Sequence, residues 1–311
     1  MHRRSFLSQA ALAALAAPPI VSFAETATCV GSTAEQVTAG SNLGGRTAVV
    51  TGCNSGIGLE TMRVLALRGV HVIGTARTLE KGQQACAQIK GRATPVVLEL
   101  SDFASVIACA DAIRKLNVNI DMLILNAGIV IPDWHAINGI EQHFLVNHLG
   151  HFLLTQRLLD RVTLAEQGRV VVVGSGNHRD APKGGIQFDD LSGKTWKSYY
   201  AHSKLANGLF SLELSKRLRG TRATSNCLSP GAVDTNIRRH LSKDDWPDQL
   251  KSVAEGAATV CYVATHPSLA KTTGEYFKDC SPAPQSAYQT DAAMAKKLWD
   301  VSTQLTHKYL G

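Results

Sequence analysis

The sequence contains no internal repeat, no long low-complexity tract and no Cys-x-x-Cys pair, so repeat architectures are excluded at the outset and no disulfide framework is suggested. The cysteines at 29, 53, 86, 109, 227, 261 and 280 are odd in number. They read as scattered buried thiols, which fits folding in a reducing compartment. No basic stripe accompanies the net charge of +7. Dispersed lysines and arginines imply a solvated surface and no nucleic-acid partner. With 44% hydrophobic and 18% charged residues in 311 positions, the chain has enough material for one large α/β domain.

The first two dozen residues, MHRRSFLSQAALAALAAPPIVSFA, combine Arg3 and Arg4, an apolar Ala/Leu stretch and a small-residue end at Ser22 to Ala24. This looks like a twin-arginine export signal over 1–24. The apolar stretch carries two prolines and is too short for a comfortable membrane span, so no stable anchor is expected after cleavage. A periplasmic protein follows, with a cytoplasmic or membrane-associated one as the alternative if the signal is unused or uncleaved. Twin-arginine signals accompany proteins that cross already folded, so a tightly held ligand could travel inside. Residues 25–45 are polar and read as a lead-in segment; the remaining 46–311 read as one domain.

From Arg46 onward, apolar β-branched runs alternate with amphipathic stretches. TAVVT, HVIGTA (71–76), TPVVLEL (94–100), IDMLILNAG (120–128), RVVVVGS (169–175), ATSNCLSPG (223–231) and GEYFKD (274–279) read as strands. Helical patterns fall at about 57–68, 80–90 and 102–115, each long enough for a crossover. The fold expected is a single α/β, doubly wound Rossmann-type domain with a mainly seven-stranded parallel sheet. Ligands bind such sheets at the carboxyl ends of the strands, where TGCNSGIG, LNAG, GSG and SPG fall. The stretch 234–250, with Arg238, Arg239, Trp246 and Pro247, reads either as a substrate lid or as a plain surface loop.

In TGCNSGIG (51–58), Gly52, Gly56 and Gly58 remove side chains where backbone must approach a pyrophosphate at a helix N-terminus. Ala76 stands where a carboxylate would hold the ribose of NAD, and Arg77 follows it, able to meet a 2′-phosphate. NADP(H) is therefore the expected cofactor. Tyr200 and Lys204, four apart in the helix-like SYYAHSKLANGLF, project from one face. A neighbouring cation favours the phenolate, suiting Tyr200 to acid–base work at a carbonyl or alcohol. Tyr199 would be rotated away from Lys204. His143, His148 and His151 invite a metal reading, but no carboxylate or cysteine completes a ligand set.

These motifs, with NAG (126–128), NHLG (147–150), GSGNH (174–178), YAHSK (200–204) and PGAVDT (230–235), resemble the short-chain dehydrogenase/reductase family over roughly 43–280. NHLGHFLLT and YAHSKLAN are similar to its retinol dehydrogenase and WW-domain oxidoreductase branch. The stretch between Ser175 and Tyr200 is long for the family at large and typical of this branch. The resemblance implies a tetrad of Asn147, Ser175, Tyr200 and Lys204. Tyr200 would be the acid or base, Lys204 would hold the nicotinamide ribose, Ser175 would bond the substrate oxygen, and Asn147 would seat a water leading protons to Lys204. It further implies cofactor contacts from Gly52, Asn54, Ser55, Gly56, Ile57, Gly58, Arg77, Glu99, Leu100, Asn126, Ala127, Gly128, Pro230, Gly231, Val233 and Thr235, beside Tyr200 and Lys204. Asn126 to Gly128 would pass beneath the adenosine side, and Pro230 to Thr235 would hold the carboxamide. The sequence departs from the family pattern at Glu99, commonly Asp, and at Leu125, commonly Asn. Gly174 replaces a common serine, leaving Ser175 without a neighbouring substitute.

The function implied is NADP(H)-dependent interconversion of an alcohol and an aldehyde or ketone on an apolar retinoid-, steroid- or lipid-like molecule. A catalytically silent dinucleotide-binding sensor of the same fold is the alternative, and a sugar-nucleotide epimerase a third. No metal is needed. The family implies a possible homodimer through the two long helices carrying Asn147 and Tyr200.

Overall fold

The apolar runs become strands because their β-branched side chains are buried on both faces: Thr47–Val50 (β1), His71–Ala76 (β2) and Arg169–Val173 are enclosed at every position. The computed structural model describes residues 29–239 and 249–310. The proposed export signal lies outside them, as do Trp246 and Pro247 of the expected lid. In chain order the remaining strands are Ala93–Val97 (β3), Met122–Leu125 (β4), Ala136–Ile137 (β5), Ile140–Glu141 (β6), Arg169–Val173 (β7), Thr224–Ser229 (β8), Tyr276–Lys278 (β9) and Ser281–Pro282 (β10). The helices are Ala34–Val37 (α1), Gly56–Leu67 (α2), Leu79–Ala87 (α3), Phe103–Lys115 (α4), Gly150–Thr163 (α5), Tyr199–Arg217 (α6), Val253–Thr265 (α7) and Ala292–Thr306 (α8).

The main sheet runs β10-β9-β8-β7-β4-β1-β2-β3, all parallel except the short antiparallel β10. The chain builds outward from β1 through β2 and β3, then returns to β4 on the other side. This reversal opens a crevice at the carboxyl ends of β1 and β4. The doubly wound fold expected from the sequence is thus the one observed, with β10 and the β5–β6 hairpin added. Neighbouring residues of one strand serve opposite cores. Val49, Leu123 and Val170 pack with α4, α5 and α6, whereas Ala48, Met122 and Val171 pack with α2, α3 and α7.

Several boundaries differ from the sequence reading. β3 stops at Val97 because the chain turns at Glu99, whose N–H donates to Ser105 Oγ (2.9 Å). A π-helical segment, Phe144–Leu149, precedes α5. The segment before β1 carries α1, which packs Ala34 against Val64, Ala257 and Cys261. The thiol reading needs correction. Cys29 and Cys280 form a disulfide with Cα atoms 5.3 Å apart, joining this segment to the β9–β10 turn. Their separation of 251 residues is closed by the fold itself. The other five cysteines are free.

Finally, α8 lies across α5 and α6. Its Trp299 packs edge-on against Phe152 and stacked with Phe210, and His148 meets Ser302 Oγ at 2.8 Å. Ala295 and Leu298 are buried against Leu205 and Leu209.

Candidate active site

Thr51 ends β1 and ties the two arms of the crevice together. Its Oγ1 accepts from the N–H groups of Asn126 and Ala127, each at 2.9 Å. Asn126 Nδ2 donates to the Thr51 carbonyl at 2.8 Å. Beneath them His151 Nδ1 donates to the Asn147 carbonyl (3.1 Å), so its Nε2 carries the lone pair and accepts from Thr51 Oγ1 (2.9 Å). The glycine turn needs its missing side chains here. A Cβ on Gly58 would strike the Gly52 carbonyl and lie 2.5 Å from Asn126 Nδ2. The following α2 has no acidic residue in its first turn, leaving the orphan amides and dipole of its N-terminus open to an anion.

One cleft of about 1200 Å³ gathers all the cofactor residues expected from the sequence, from Gly52 to Thr235, together with Ser175, Tyr200 and Lys204. Ala76 is buried and Arg77 is exposed at the rim. Glu99 lines the cleft, but its Oε1 is turned back to accept from Ser101 N (3.0 Å) and Oγ (2.7 Å). Leu125, in place of the family's asparagine, is simply core.

α6 starts from Ser198 in the left-handed region, at φ 65°. It presents Tyr200 and Lys204 together, with Nζ 5.5 Å from the phenol ring centre. Lys204 is 3% exposed, and its Nζ donates to the Val173 carbonyl at 3.0 Å. Burial lowers its pKa to about 8, because the charged form loses its hydration. Ser175 follows β7 and caps the turn after it, accepting from Asn177 N (3.2 Å) and donating to Asn177 Oδ1 (3.1 Å). A Cβ on Gly174 would lie 2.7 Å from Cys227 Sγ, so a serine there would not fit without movement.

Asn147 is fully buried in the π-helical segment, under the cleft rather than lining it. Its Oδ1 accepts from Ile129 N (2.8 Å), and its Nδ2 donates to Ile129 O (3.2 Å) and Ser203 Oγ (2.9 Å). A Cβ on Gly128 would be 3.2 Å from Asn147 Oδ1 and 3.6 Å from Lys204 Nζ, placing the amide and the ammonium around one point.

Ile129, Ile131, Trp134, Val146, Tyr199 and Ile237 give the cleft an apolar lining. Motif reading missed the 129–134 part of this wall, which follows β4 in a loop with no periodic signal. The 230–235 loop is braced by Lys251, whose N–H donates to Ala232 O (2.8 Å), whose carbonyl accepts from Asp234 N (3.0 Å) and whose ammonium pairs with Asp279 beside the disulfide. Among the described residues no cluster of His, Cys, Asp and Glu is arranged to hold a metal. No described helix is long and apolar enough to cross a membrane.

The short chain dehydrogenase family model matches residues 46–246. Short-chain dehydrogenase TIC 32 B, chloroplastic, of Brassica napus is 39% identical over 300 residues, covering 88% of this chain and 92% of the relative. Retinol dehydrogenase 11 of Mus musculus is 38% identical over 277 residues, covering 85% and 87%. A crystal structure of an uncharacterized protein from Mycobacterium paratuberculosis matches with a TM-score of 0.72 and 32% identity, covering 87% of this chain and 97% of that one. A doubly wound sheet, a glycine turn at its switch point and relatives of this likeness lead to one conclusion: the chain belongs to the short-chain dehydrogenase/reductase family of nicotinamide-dependent alcohol and carbonyl oxidoreductases, in its retinol-dehydrogenase-like branch.

Proposed function

We propose that this protein interconverts an apolar alcohol and its aldehyde or ketone with NADP(H), using Tyr200 as general acid and base. The observation that carries the reading is the meeting of Tyr200, Lys204 and Ser175 in the same cleft as the glycine turn. The bound dinucleotide would supply or accept the hydride. The Gly52–Gly58 turn and the acid-free start of α2 suit its pyrophosphate, and the 230–235 loop suits its nicotinamide end. Tyr200 transfers the proton at the substrate oxygen, Ser175 Oγ donates to that oxygen as charge develops, and the Lys204 ammonium stabilises the phenolate. Asn147 keeps Ile129 and Ser203 in place beneath them. Its second Oδ1 lone pair is the seat we assign to a water leading toward Lys204.

Arg77 at the rim and buried Ala76 support NADP(H) over NAD(H), since no carboxylate occupies the ribose position. The purified protein should turn over NADPH with at least about tenfold higher kcat/KM than NADH, and Arg77→Ala should narrow that ratio. A clear NADH preference in the unmutated protein would contradict the assignment. The apolar wall supports a retinoid-, steroid- or lipid-like substrate, in keeping with the name of the mouse relative. We assign the protein to the periplasm, reached through the twin-arginine route, and the Cys29–Cys280 disulfide supports an oxidising compartment. Any homodimer would need a surface other than the α5–α6 face, across which α8 lies.

A further inference from the structure

Glu141 and His143 are buried side by side, at 0% and 1% exposure, where β6 runs into the π-helical segment. Both carboxylate oxygens of Glu141 are engaged. Oε1 accepts from His143 N (2.9 Å) and His143 Nδ1 (2.7 Å), and Oε2 accepts from Phe144 N (2.9 Å). The carboxylate thus satisfies the first amides of the segment and fixes the imidazole tautomer. With its proton on Nδ1, His143 keeps a lone pair on Nε2, which accepts from the backbone N–H of Ile131 at 3.1 Å. The imidazole is a rigid strut from a buried carboxylate to the middle of the cleft's apolar wall.

The 129–134 part of the wall has three anchors. Asn147 holds Ile129. His143 holds Ile131, and Trp134 Nε1 donates to the Ser192 carbonyl at 2.9 Å. His143 and Asn147 are four residues apart and serve successive parts of one loop. His143 also touches the reacting side of the cleft. Its ring lies 6.2 Å from that of Tyr200, edge-on at 71°, and 6.4 Å from that of Tyr199, near parallel at 16°. Gly193 closes the arrangement, its α-carbon side facing both Glu141 and Tyr199.

We propose that His143, oriented by Glu141, is a positioning residue for the reaction: it fixes the 129–134 wall relative to Tyr200 and so sets how tightly the apolar substrate is held. This rests on the function proposed above.

Two substitutions separate its contacts. His143→Asn retains a donor near Glu141 but is too short to accept from Ile131, whereas His143→Gln can still accept from that amide. The test combines kinetics of the full chain with amide hydrogen exchange of the cofactor-free protein. In His143→Asn, exchange of the Ile131 amide should rise at least about tenfold, because the half-buried N–H loses its partner. KM for the carbonyl substrate should rise about tenfold, with kcat per folded site changed less than about threefold, the pattern of lost substrate positioning. Affinity for NADP(H) should stay within about twofold, and His143→Gln should recover both exchange protection and KM. Should the Asn variant unfold, Glu141→Gln gives the same readouts by another route: both carboxylate oxygens accept from N–H groups, so the NH2 of a glutamine must face one of those donors and the imidazole loses the fixed acceptor that orients it. Unchanged KM in a variant with fast Ile131 exchange overturns the proposal, as does unchanged exchange. If the unmutated protein reduces no carbonyl with either cofactor, the catalytic role falls with the proposed function. Exchange at Ile131 still decides separately whether His143 holds the wall.

Discussion

At the scale of single residues, Lys204 is where sequence spacing and burial combine. The four-residue step from Tyr200 was legible because helix geometry alone puts both side chains on one face. Its depth was not, because burial depends on Val173 and Cys227 from strands that arrive from elsewhere in the chain. Burial lowers Lys204 to about 8, so the side chain is an ammonium below that pH and neutral above it. Affinity for an anionic dinucleotide should therefore weaken severalfold as pH rises from about 7 to about 9.5. Fluorescence titrations across that range should show the trend in the unmutated protein and a flat profile in Lys204→Met. A flat profile in both would remove the charge from the account. Gly174 teaches a related lesson. The sequence marks it as a missing serine, but only the packed structure gives the reason, namely Cys227 Sγ and the Leu228 carbonyl where a side chain would go.

At the scale of elements, the apolar β-branched runs announced the parallel strands, while β5, β6 and β10 were silent because two residues carry no periodicity. The signal for α8 was present in the spacing of Ala295, Leu298, Trp299, Ser302 and Thr306, all buried on one face. The sequence reading stopped short of it. His148 and His151 in the π-helical segment and α5, together with His202 in α6, entered that reading as metal candidates or not at all. In the structure they are neutral packing groups. Burial lowers their pKa values to about 3, 4 and 3 respectively. Each takes up a proton near 6.5 when unfolded but resists it when folded. Below that pH the unfolded state binds more protons, and stability falls as pH falls. Each histidine should cost on the order of 2 kcal/mol by pH about 5. Urea midpoints measured between pH about 7 and about 5 should fall steeply, and His148→Asn should flatten the slope. A midpoint independent of pH in this window would contradict the assignment of buried neutral imidazoles.

At the scale of the whole molecule, the longest-range bond was the one least legible. Cys29 and Cys280 stand far apart in a sequence with an odd cysteine count, and nothing short of the folded sheet brings them together. The bond secures α1 against α7 and lies next to Asp279, the partner of Lys251 under the 230–235 loop. Closing so long a loop stabilises a fold mainly by restricting the unfolded chain, so Cys29→Ser should lose about 2 to 4 kcal/mol. Calorimetry with and without reductant should show the unmutated protein converging on the variant when reduced. Identical melting in all conditions would show that the bond contributes nothing in solution.

The central claim is that Tyr200 is the proton-transferring group in a nicotinamide-dependent oxidoreductase. Its most direct measurement is Tyr200→Phe, assayed for NADPH affinity and for carbonyl turnover against a panel of apolar aldehydes and ketones. Cofactor affinity should stay within about threefold while turnover falls by at least about a hundredfold, because the exchangeable proton is lost and the ring remains. Near-normal turnover in that variant would contradict the account.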